Sequence, residues 1–199
     1  MEQLCNVLRS LTRRAFVIAV LAFIATPAVA DEDAAWAALR AGGHVALMRH
    51  ASTEAGLGDP AGYNLDDCAT QRNLSAQGRE EARRIGERFR REGVVVERAY
   101  SSPWCRCRDT AYEAFRKSED WTALASFFDE PHREPELTKR VKMRIGGYST
   151  QKPKGTIVMV THNVNIAALT GLSVGTGEIV VLRPDGCCGL KVVGRIAIR

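Results

Sequence analysis

Two histidines and two arginines lie at or just beyond the ends of three short segments that have the pattern of strands. Arg49 and His50 end the first apolar run, and His162 follows the third. Arg106 lies one helical turn beyond the serine pair that ends the second. In open α/β sheets, ligand sites form beyond the carboxyl ends of the strands. We therefore expect these four side chains to converge on one pocket, although they are far apart along the chain.

Together the four side chains suit the transfer of a phosphoryl group. A tetrahedral dianion needs several cationic donors, and the planar fork of Arg49 or Arg106 can bind it through two hydrogen bonds. A neutral imidazole such as that of His50 can attack phosphorus and form a phosphohistidine, which replaces one difficult step by two easier ones. A cationic His162 would stabilise the charge on the equatorial oxygens. Because the arginines supply positive charge, this chemistry requires no metal ion and no cofactor.

Strand-like and helix-like segments alternate along the chain. Short apolar runs predict strands at residues 44–48, 94–100 and 156–161. Helical periodicity or helix boundary signals occur at residues 33–41, 76–91, 103–117, 119–128 and 163–170, whereas residues 134–147 are amphipathic but ambiguous. Two β-branched runs, 175–182 and 190–198, predict a hairpin at the edge of the sheet. The alternation indicates an α/β fold with a mostly parallel central sheet.

Four motifs in this order resemble those of the histidine phosphatase, or phosphoglycerate-mutase-like, superfamily. Residues 47–51 (LMRHA) are similar to its R-H-G motif, and residues 74–78 (LSAQG) to its L-T-x-x-G helix start. Residues 101–111 (SSPWCRCRDTA) resemble its S-S-P-x-x-R-x-x-x-T-A segment, and residues 161–163 (THN) lie where it has its second histidine. The resemblance extends from about residue 44 to 182. It implies a three-layer α/β/α sandwich in which His50 accepts the phosphoryl group.

The resemblance also implies that Arg49, Arg106 and His162 complete the phosphate pocket. This chain departs from the family at Ala51, where the motif has Gly, and a methyl group there could crowd a close backbone approach. It departs again at Asn163, where one branch of the family has an Asp that protonates the leaving group.

The general acid is therefore left open. The other branch takes its acid from a loop after the S-S-P helix, and there Glu130 is the candidate, with Asp129 as the alternative. A solvated acidic turn would explain both residues equally well. Without an acid, the enzyme would favour substrates with good leaving groups, such as acyl phosphates, phosphohistidine or aryl phosphates.

Residues 51–72 are rich in Gly, Asp, Pro and Thr and predict a long loop, and such loops are usually functional or disordered. Arg72, Asn64 and Asp59 lie in or next to this loop and could line a rim that determines specificity, although polar loop residues are commonly just solvated. We assign Arg72, Asn64 and Asn163 to substrate binding.

The first 30 residues predict a secretory signal peptide. Arginines precede an apolar run, residues 15–25, and a small-residue A-x-A site ends at Ala30. Residues 12–16 (TRRAF) resemble the twin-arginine export motif, so both export routes stay open. The apolar run is too short for a stable membrane span. Residues 31–199 would then form a single histidine phosphatase domain, periplasmic or secreted.

Removal of the signal peptide lowers the formal charge from +5 to +3, which suits an anionic partner. We expect a small phosphorylated substrate and no nucleic acid, because no basic run with interleaved aromatic residues is present. By analogy with small exported family members that act on phosphorylated lipopolysaccharide sugars, an envelope sugar is one expected substrate. A phosphomutase and a non-catalytic phosphate-binding module of the same fold are the alternatives.

Five cysteines follow the predicted signal peptide, namely Cys68, Cys105, Cys107, Cys187 and Cys188. In an oxidising compartment some would pair, and the odd number leaves at least one outside any intramolecular disulfide. Their pairing cannot be derived from the sequence. Their spacing differs from the C-x-x-C of common zinc and redox sites, which disfavours a metal or redox protein.

Overall fold

Six strands pair into one sheet within residues 28–186 and 188–198, which are the residues that the computed structural model of the protein describes. The strands are β1 (Val45–Arg49), β2 (Val96–Ser101), β3 (Glu119–Asp120), β4 (Thr156–Thr161), β5 (Ile179–Asp185) and β6 (Gly189–Ile196). Their order is β3-β2-β4-β1-β5-β6. The pairs β3–β2, β2–β4 and β4–β1 are parallel, whereas the pairs β1–β5 and β5–β6 are antiparallel. The predicted α/β fold, with a mostly parallel sheet and an antiparallel edge hairpin, is confirmed.

Helices cover both faces of this sheet. In the described residues they are α1 (Ala28–Ala41), α2 (Ala76–Arg91), α3 (Cys105–Phe115), α4 (Glu134–Gln151) and α5 (Asn163–Thr170), with short 3-10 turns at Cys68–Thr70, Thr122–Leu124 and Pro131–Arg133. Side chains of β1 alternate between the two faces, as the pleat of a strand requires. Ala46 and Met48 pack in a cluster with α1, α2 and α3, whereas Val45 and Leu47 pack in a cluster with α4 and α5. These two cores give the three layers that the family resemblance implied.

The segment 119–128 differs from its predicted helix. Its first two residues form β3, which pairs in parallel with β2, and a 3-10 turn follows at Thr122–Leu124. The backbone N–H of Trp121 donates to the Ser101 carbonyl (2.8 Å), and the Thr161 hydroxyl donates to the Leu124 carbonyl (2.7 Å). These hydrogen bonds to the sheet fix the backbone at Trp121 and Leu124, and tertiary contacts of this kind override the local propensity for helix.

The ambiguous segment 134–147 belongs to a helix, because α4 extends from Glu134 to Gln151. Its buried side chains recur at helical spacing, at Leu137, Val141, Ile145 and Tyr148. Val141, Ile145 and Tyr148 cover the face of the sheet opposite α2 and α3, whereas Leu137, in the first turn of α4, packs in the cluster that contains α2 and α3. The buried residues of α4 thus join both cores.

The predicted signal peptide lies outside the described residues except for residues 28–30, which begin α1. None of the helices in the described ranges has both the length and the apolarity that crossing a bilayer requires.

The start of α2 lies against the segment that follows β1. Ser75 is the N-cap residue, and its hydroxyl accepts a hydrogen bond from the Gly78 N–H (3.0 Å). The Ser75 N–H donates to the Ser52 carbonyl (3.1 Å). A Cβ on Gly78 would lie only 1.8 Å from that carbonyl oxygen, so a side chain cannot be accommodated here without backbone movement. Gly78 therefore allows α2 to approach the backbone two residues after His50.

We expect Gly78→Ala to lower the free energy of unfolding by about 1–3 kcal/mol, because the added methyl group overpacks against the Ser52 backbone. Gly147→Ala is the matched control, since Gly147 lies inside α4 and its Cβ would approach no atom closer than 3.6 Å. Alanine there should raise stability by up to about 1 kcal/mol through helix propensity. Urea unfolding of the two variants measures both effects, and equal stability of the two would contradict the close approach at Gly78.

Candidate active site

The parallel pairing of β1 with β4 brings the two histidines together. Arg49 lies opposite Thr161 in the register, and the His50 N–H donates to the Thr161 carbonyl (3.0 Å). His50 and His162 are the next residues after the two strands, and their ring centroids are 5.4 Å apart. Both residues are buried, with exposures of 4% and 5%. The structure thus brings the two predicted histidines into contact distance at one end of the sheet.

His50 has a ring nitrogen with a free lone pair. Its Nδ1 lies 2.8 Å from the Ala51 carbonyl oxygen, which can only accept a hydrogen bond, so Nδ1 carries the proton of the neutral ring. Burial, together with the nearby charges of Arg106 and Arg49, lowers the pKa of His50 to about 3 despite the opposing effect of the hydrogen bond to Ala51. At neutral pH the ring is therefore uncharged, and Nε2 is the nitrogen that can act as a nucleophile.

His162 is held by the S-S-P segment. Its Nε2 lies 2.8 Å from the Ser102 hydroxyl oxygen and 3.5 Å from Cys107 Sγ, and its ring packs edge-on against Trp104. Burial lowers the pKa of His162 well below its ordinary value, as do the nearby His50 and Arg106. His162 is therefore neutral in the ligand-free protein. An arriving phosphate dianion would act in the opposite direction, because a nearby anion favours the charged imidazole.

Three arginines line one cavity of about 250 Å³ together with these histidines. Arg49 donates through Nη1 to the Val174 carbonyl (2.8 Å), and Arg72 donates to the Gly56 carbonyl. The Nε atoms of Arg49, Arg72 and Arg106 are all buried and have no hydrogen-bond partner among the described residues. A buried unsatisfied donor costs about 1–3 kcal/mol, so an anion that accepts from these groups would relieve a real penalty.

Asp59 is the partner of Arg106, and its side chain is only 3% exposed. Arg106 Nη1 donates to both carboxylate oxygens (2.8 and 3.0 Å), and Trp104 Nε1 and the Arg72 backbone N–H also donate to them (3.0 and 2.9 Å). Burial alone would raise the pKa of Asp59, but the hydrogen bonds from Arg106, Arg72 and Trp104 lower it below its ordinary value. The sequence placed Asp59 only in a candidate specificity rim, whereas the structure makes it the residue that positions Arg106.

The remaining predicted site residues divide into two groups. Arg72 and Asn163 line the cavity, although Asn163 Oδ1 already accepts from the Val174 N–H (2.9 Å). Asn64 and Glu130 do not line it. Asn64 instead accepts from the Asp66 N–H within its own loop (3.0 Å), and the half-exposed Glu130 carboxylate accepts from Arg133 Nη1 (2.7 Å).

Asp129, the alternative acid, does line the cavity. The residues that line the cavity are Arg49, His50, Leu57, Gly58, Asp59, Arg72, Trp104, Arg106, Ser126, Phe128, Asp129, His162, Asn163 and Val164. In the described parts of the chain, no three His, Cys, Asp or Glu side chains form a group that could hold a metal ion.

The backbone after His50 is held by the T-A end of the S-S-P segment. The Ala51 N–H donates to the Thr110 hydroxyl (3.0 Å), which donates in turn to the Arg106 carbonyl (2.6 Å). The Ala51 methyl group is fully buried in a small cluster with Leu74 and Ala82. The methyl group at the position where the resembled motif has glycine therefore packs against Leu74 and α2.

A disulfide joins Cys68 to Cys105, which the sequence left undecided. Cys105 is the first residue of α3 and the neighbour of Arg106, so the bond attaches the loop 51–72 beside the cavity. Gln71 strengthens this attachment, because its Oε1 accepts from the Cys105 N–H (3.0 Å). Cys107 is buried and does not take part in this disulfide, and burial raises the pKa of its thiol to about 12. Cys187 lies outside the described residues.

Comparisons with known proteins give one matching family model and several solved structures of similar fold. Residues 45–127 match the model of the histidine phosphatase superfamily (branch 1). The fold is similar to that of the protein histidine phosphatase SixA complexed with tungstate, with 16% identity, a TM-score of 0.60, and coverage of 77% of this chain and 96% of that one. The SixA structure from Agrobacterium tumefaciens gives 18% identity, a TM-score of 0.51 and coverage of 78% and 98%.

A phosphoserine phosphatase from Entamoeba histolytica, in complex with 3-phosphoglyceric acid, gives 13% identity, a TM-score of 0.55 and coverage of 78% of this chain and 98% of that one. No curated protein sequence gives a significant match. At these identities the solved structures establish the fold alone. Residues 45–127 thus match the histidine phosphatase superfamily (branch 1), as the resemblance of the motifs predicted.

We expect Asp59→Ala to lower the free energy of unfolding by about 3–5 kcal/mol, because it leaves the buried Arg106 cation without its partner. Glu119→Ala, which breaks the exposed ion pair with Arg98, is the control and should cost less than about 1 kcal/mol. The pKa of Asp59 is lower in the folded protein than in the unfolded chain. Its contribution is therefore complete above the unfolded value near 4 and is lost as the pH falls through the folded value.

Urea unfolding of the wild type, Asp59→Ala and Glu119→Ala at several pH values measures both effects. The free energy of unfolding should decrease less in acid for Asp59→Ala than for the wild type. An Asp59→Ala protein as stable as Glu119→Ala at pH 7 would contradict the assignment of Asp59 as the partner of Arg106.

Proposed function

We propose that the protein is a metal-independent phosphatase that hydrolyses a phosphomonoester through a phosphohistidine on Nε2 of His50. The match of residues 45–127 to the superfamily model supports phosphatase activity in general. The observation that carries the finer proposal is a neutral His50 ring, with Nδ1 bound to a carbonyl, in one cavity with three arginines. This arrangement supplies both a nucleophile and the positive charge that a phosphate dianion needs.

In the first step, Arg49, Arg72 and Arg106 bind the phosphoryl oxygens, and His50 Nε2 attacks phosphorus from the side opposite the ester oxygen. The P–N bond forms as the P–O bond breaks, and the leaving oxygen takes up a proton. In the second step, water attacks the phosphohistidine as the P–N bond breaks, and the proton that the water loses restores the acid that protonated the leaving oxygen. Inorganic phosphate leaves and the neutral imidazole is regenerated. His162 and the arginines stabilise the charge on the equatorial oxygens during both transfers.

For the proton on the leaving oxygen, we propose Asp129 in place of Glu130. Asp129 lines the cavity, whereas the Glu130 carboxylate is paired with Arg133 on the surface. A donor must come within hydrogen-bond reach of the leaving oxygen, directly or through one water, and geometry is the first criterion for such a role. Asn163 lies beside the second histidine but has no acidic proton to give.

We propose further that the protein acts outside the cytoplasm after removal of its first 30 residues. The charged start, the apolar run and the small-residue site support this location. The Cys68–Cys105 disulfide supports it independently, because such bonds persist mainly in oxidising compartments. Detection of the processed chain in a periplasmic fraction, beginning at Asp31, tests this proposal, and a full-length chain in the cytoplasm would contradict it.

We expect purified residues 31–199 to hydrolyse an aryl phosphate at a rate that excess EDTA does not change, and His50→Ala to abolish this activity. His44→Ala is the control, because His44 precedes β1 and lies outside the cavity. Rapid quenching in base followed by mass spectrometry should locate phosphate on the peptide that contains His50. Turnover by His50→Ala at the wild-type rate would end the assignment of the nucleophile.

We expect Asp129→Asn to slow the turnover of alkyl phosphates by roughly 10²–10⁴-fold and to leave aryl phosphates nearly unchanged, because only poor leaving groups need a proton donor. Glu130→Gln is the neighbouring control and should change neither rate, since its partner is Arg133. Steady-state rates on ethyl phosphate and on an aryl phosphate make the comparison. A selective loss in Glu130→Gln instead would return the role of the acid to Glu130.

A further inference from the structure

The cavity changes character between its floor and its mouth. On the floor, His50, His162 and Arg106 have exposures of at most 5%. At the mouth, Leu57 and Phe128 line the same cavity with exposures of 88% and 52%. Leu57 is the most exposed large apolar residue in the described part of the chain. The cavity therefore combines a charged, buried floor with two large apolar side chains that are exposed to solvent.

Both apolar side chains lie on backbone that is anchored nearby. Leu57 comes two residues before Asp59, whose carboxylate is fixed by Arg106. Phe128 follows the buried Phe127, and its N–H donates to the Ser126 hydroxyl (3.2 Å). Single exposed apolar residues are common, but two that line the same charged cavity present a surface that a bound ligand would bury.

The polar groups at the mouth are largely engaged within the protein. The Ser126 hydroxyl accepts from the Phe128 N–H, and Asn163 Oδ1 accepts from the Val174 N–H. Asp129 is the acidic side chain at the same entrance. A sugar would need hydrogen-bond partners for several hydroxyl groups, because a buried hydroxyl without a partner is costly. The mouth therefore suits an apolar group better than the envelope sugar expected by analogy.

We propose that the phosphate of the substrate carries an apolar chain, which lies between Leu57 and Phe128 when the phosphate occupies the arginine-lined floor. This inference rests on the proposed phosphatase function, since it places the ester side of the same phosphate. The reaction is unchanged: the bond from phosphorus to the ester oxygen breaks, and the product that leaves through the mouth is an apolar alcohol.

The test uses n-alkylphosphonates of two to eight carbons as inhibitors of aryl phosphate turnover. Their P–C bond has no ester oxygen to leave, so the inhibition constant reports binding alone. We expect affinity to increase about twofold to fourfold for each added methylene while the chain remains between the two side chains. An affinity that does not change with chain length would overturn the proposal.

Two variants and one control locate the effect. Leu57→Ser and Phe128→Ser should each reduce the gain per methylene while leaving the inhibition by inorganic phosphate within about twofold of the wild type. Val95→Ser is the matched control, because Val95 is 70% exposed and lies outside the cavity. If Val95→Ser reduced the gain in affinity per methylene as much as Leu57→Ser and Phe128→Ser do, the alkyl chains would bind elsewhere. An unchanged gain in both Leu57→Ser and Phe128→Ser would lead to the same conclusion.

The outcomes keep the two proposals apart. A wild-type protein that turns over no phosphate ester contradicts the proposed phosphatase function. In that case the phosphonate series is measured by calorimetry, and the dependence of affinity on chain length in the wild type and the three variants still decides whether the mouth binds an apolar chain. Turnover with a flat phosphonate series would leave the phosphatase standing and remove the apolar substrate.

Discussion

The register between β1 and β4 is the constraint on which the site depends. Because the two strands are parallel and Arg49 lies opposite Thr161, both strands end at the same level, and His50 and His162 leave the sheet side by side. The pleat has a period of two, so a shift of one residue would turn the side chains of a strand to the opposite face. The buried residues on both faces of β1 oppose such a shift, and the packing of the core thereby holds the two imidazoles together.

The site must also accommodate the mutual repulsion of its arginines when no ligand is bound. Arg49 and Arg72 are partly buried, burial lowers the pKa of both, and each is further lowered by a neighbouring arginine. Asp59 offsets part of this repulsion, because its carboxylate is bound to Arg106 and to the backbone of Arg72. The loop 51–72 therefore contributes one cation and one anion to the cavity, and its fold is part of the electrostatics of the site.

Much of this arrangement could be predicted from the sequence, and the exceptions have physical reasons. The motifs around His50, Arg106 and His162 are local and lie at strand ends, so their convergence follows from the sheet topology. Asp59 could not be distinguished from Asp66 or Asp67 in the same loop, because its importance comes from contacts with residues some 45 positions away. Asp129 and Glu130 are adjacent, and which of them faces the cavity depends on backbone geometry between two 3-10 turns.

The Cys68–Cys105 disulfide has a consequence for how substrate affinity is generated. It closes a span of 37 residues, and restricting an unfolded chain in this way removes conformational freedom equivalent to about 4 kcal/mol. The same bond anchors the loop that contains Asp59 and Arg72 next to α3 before any phosphate arrives. An incoming anion therefore meets Arg72 on a loop that the disulfide already holds in place, so less of its binding energy is needed to order that loop.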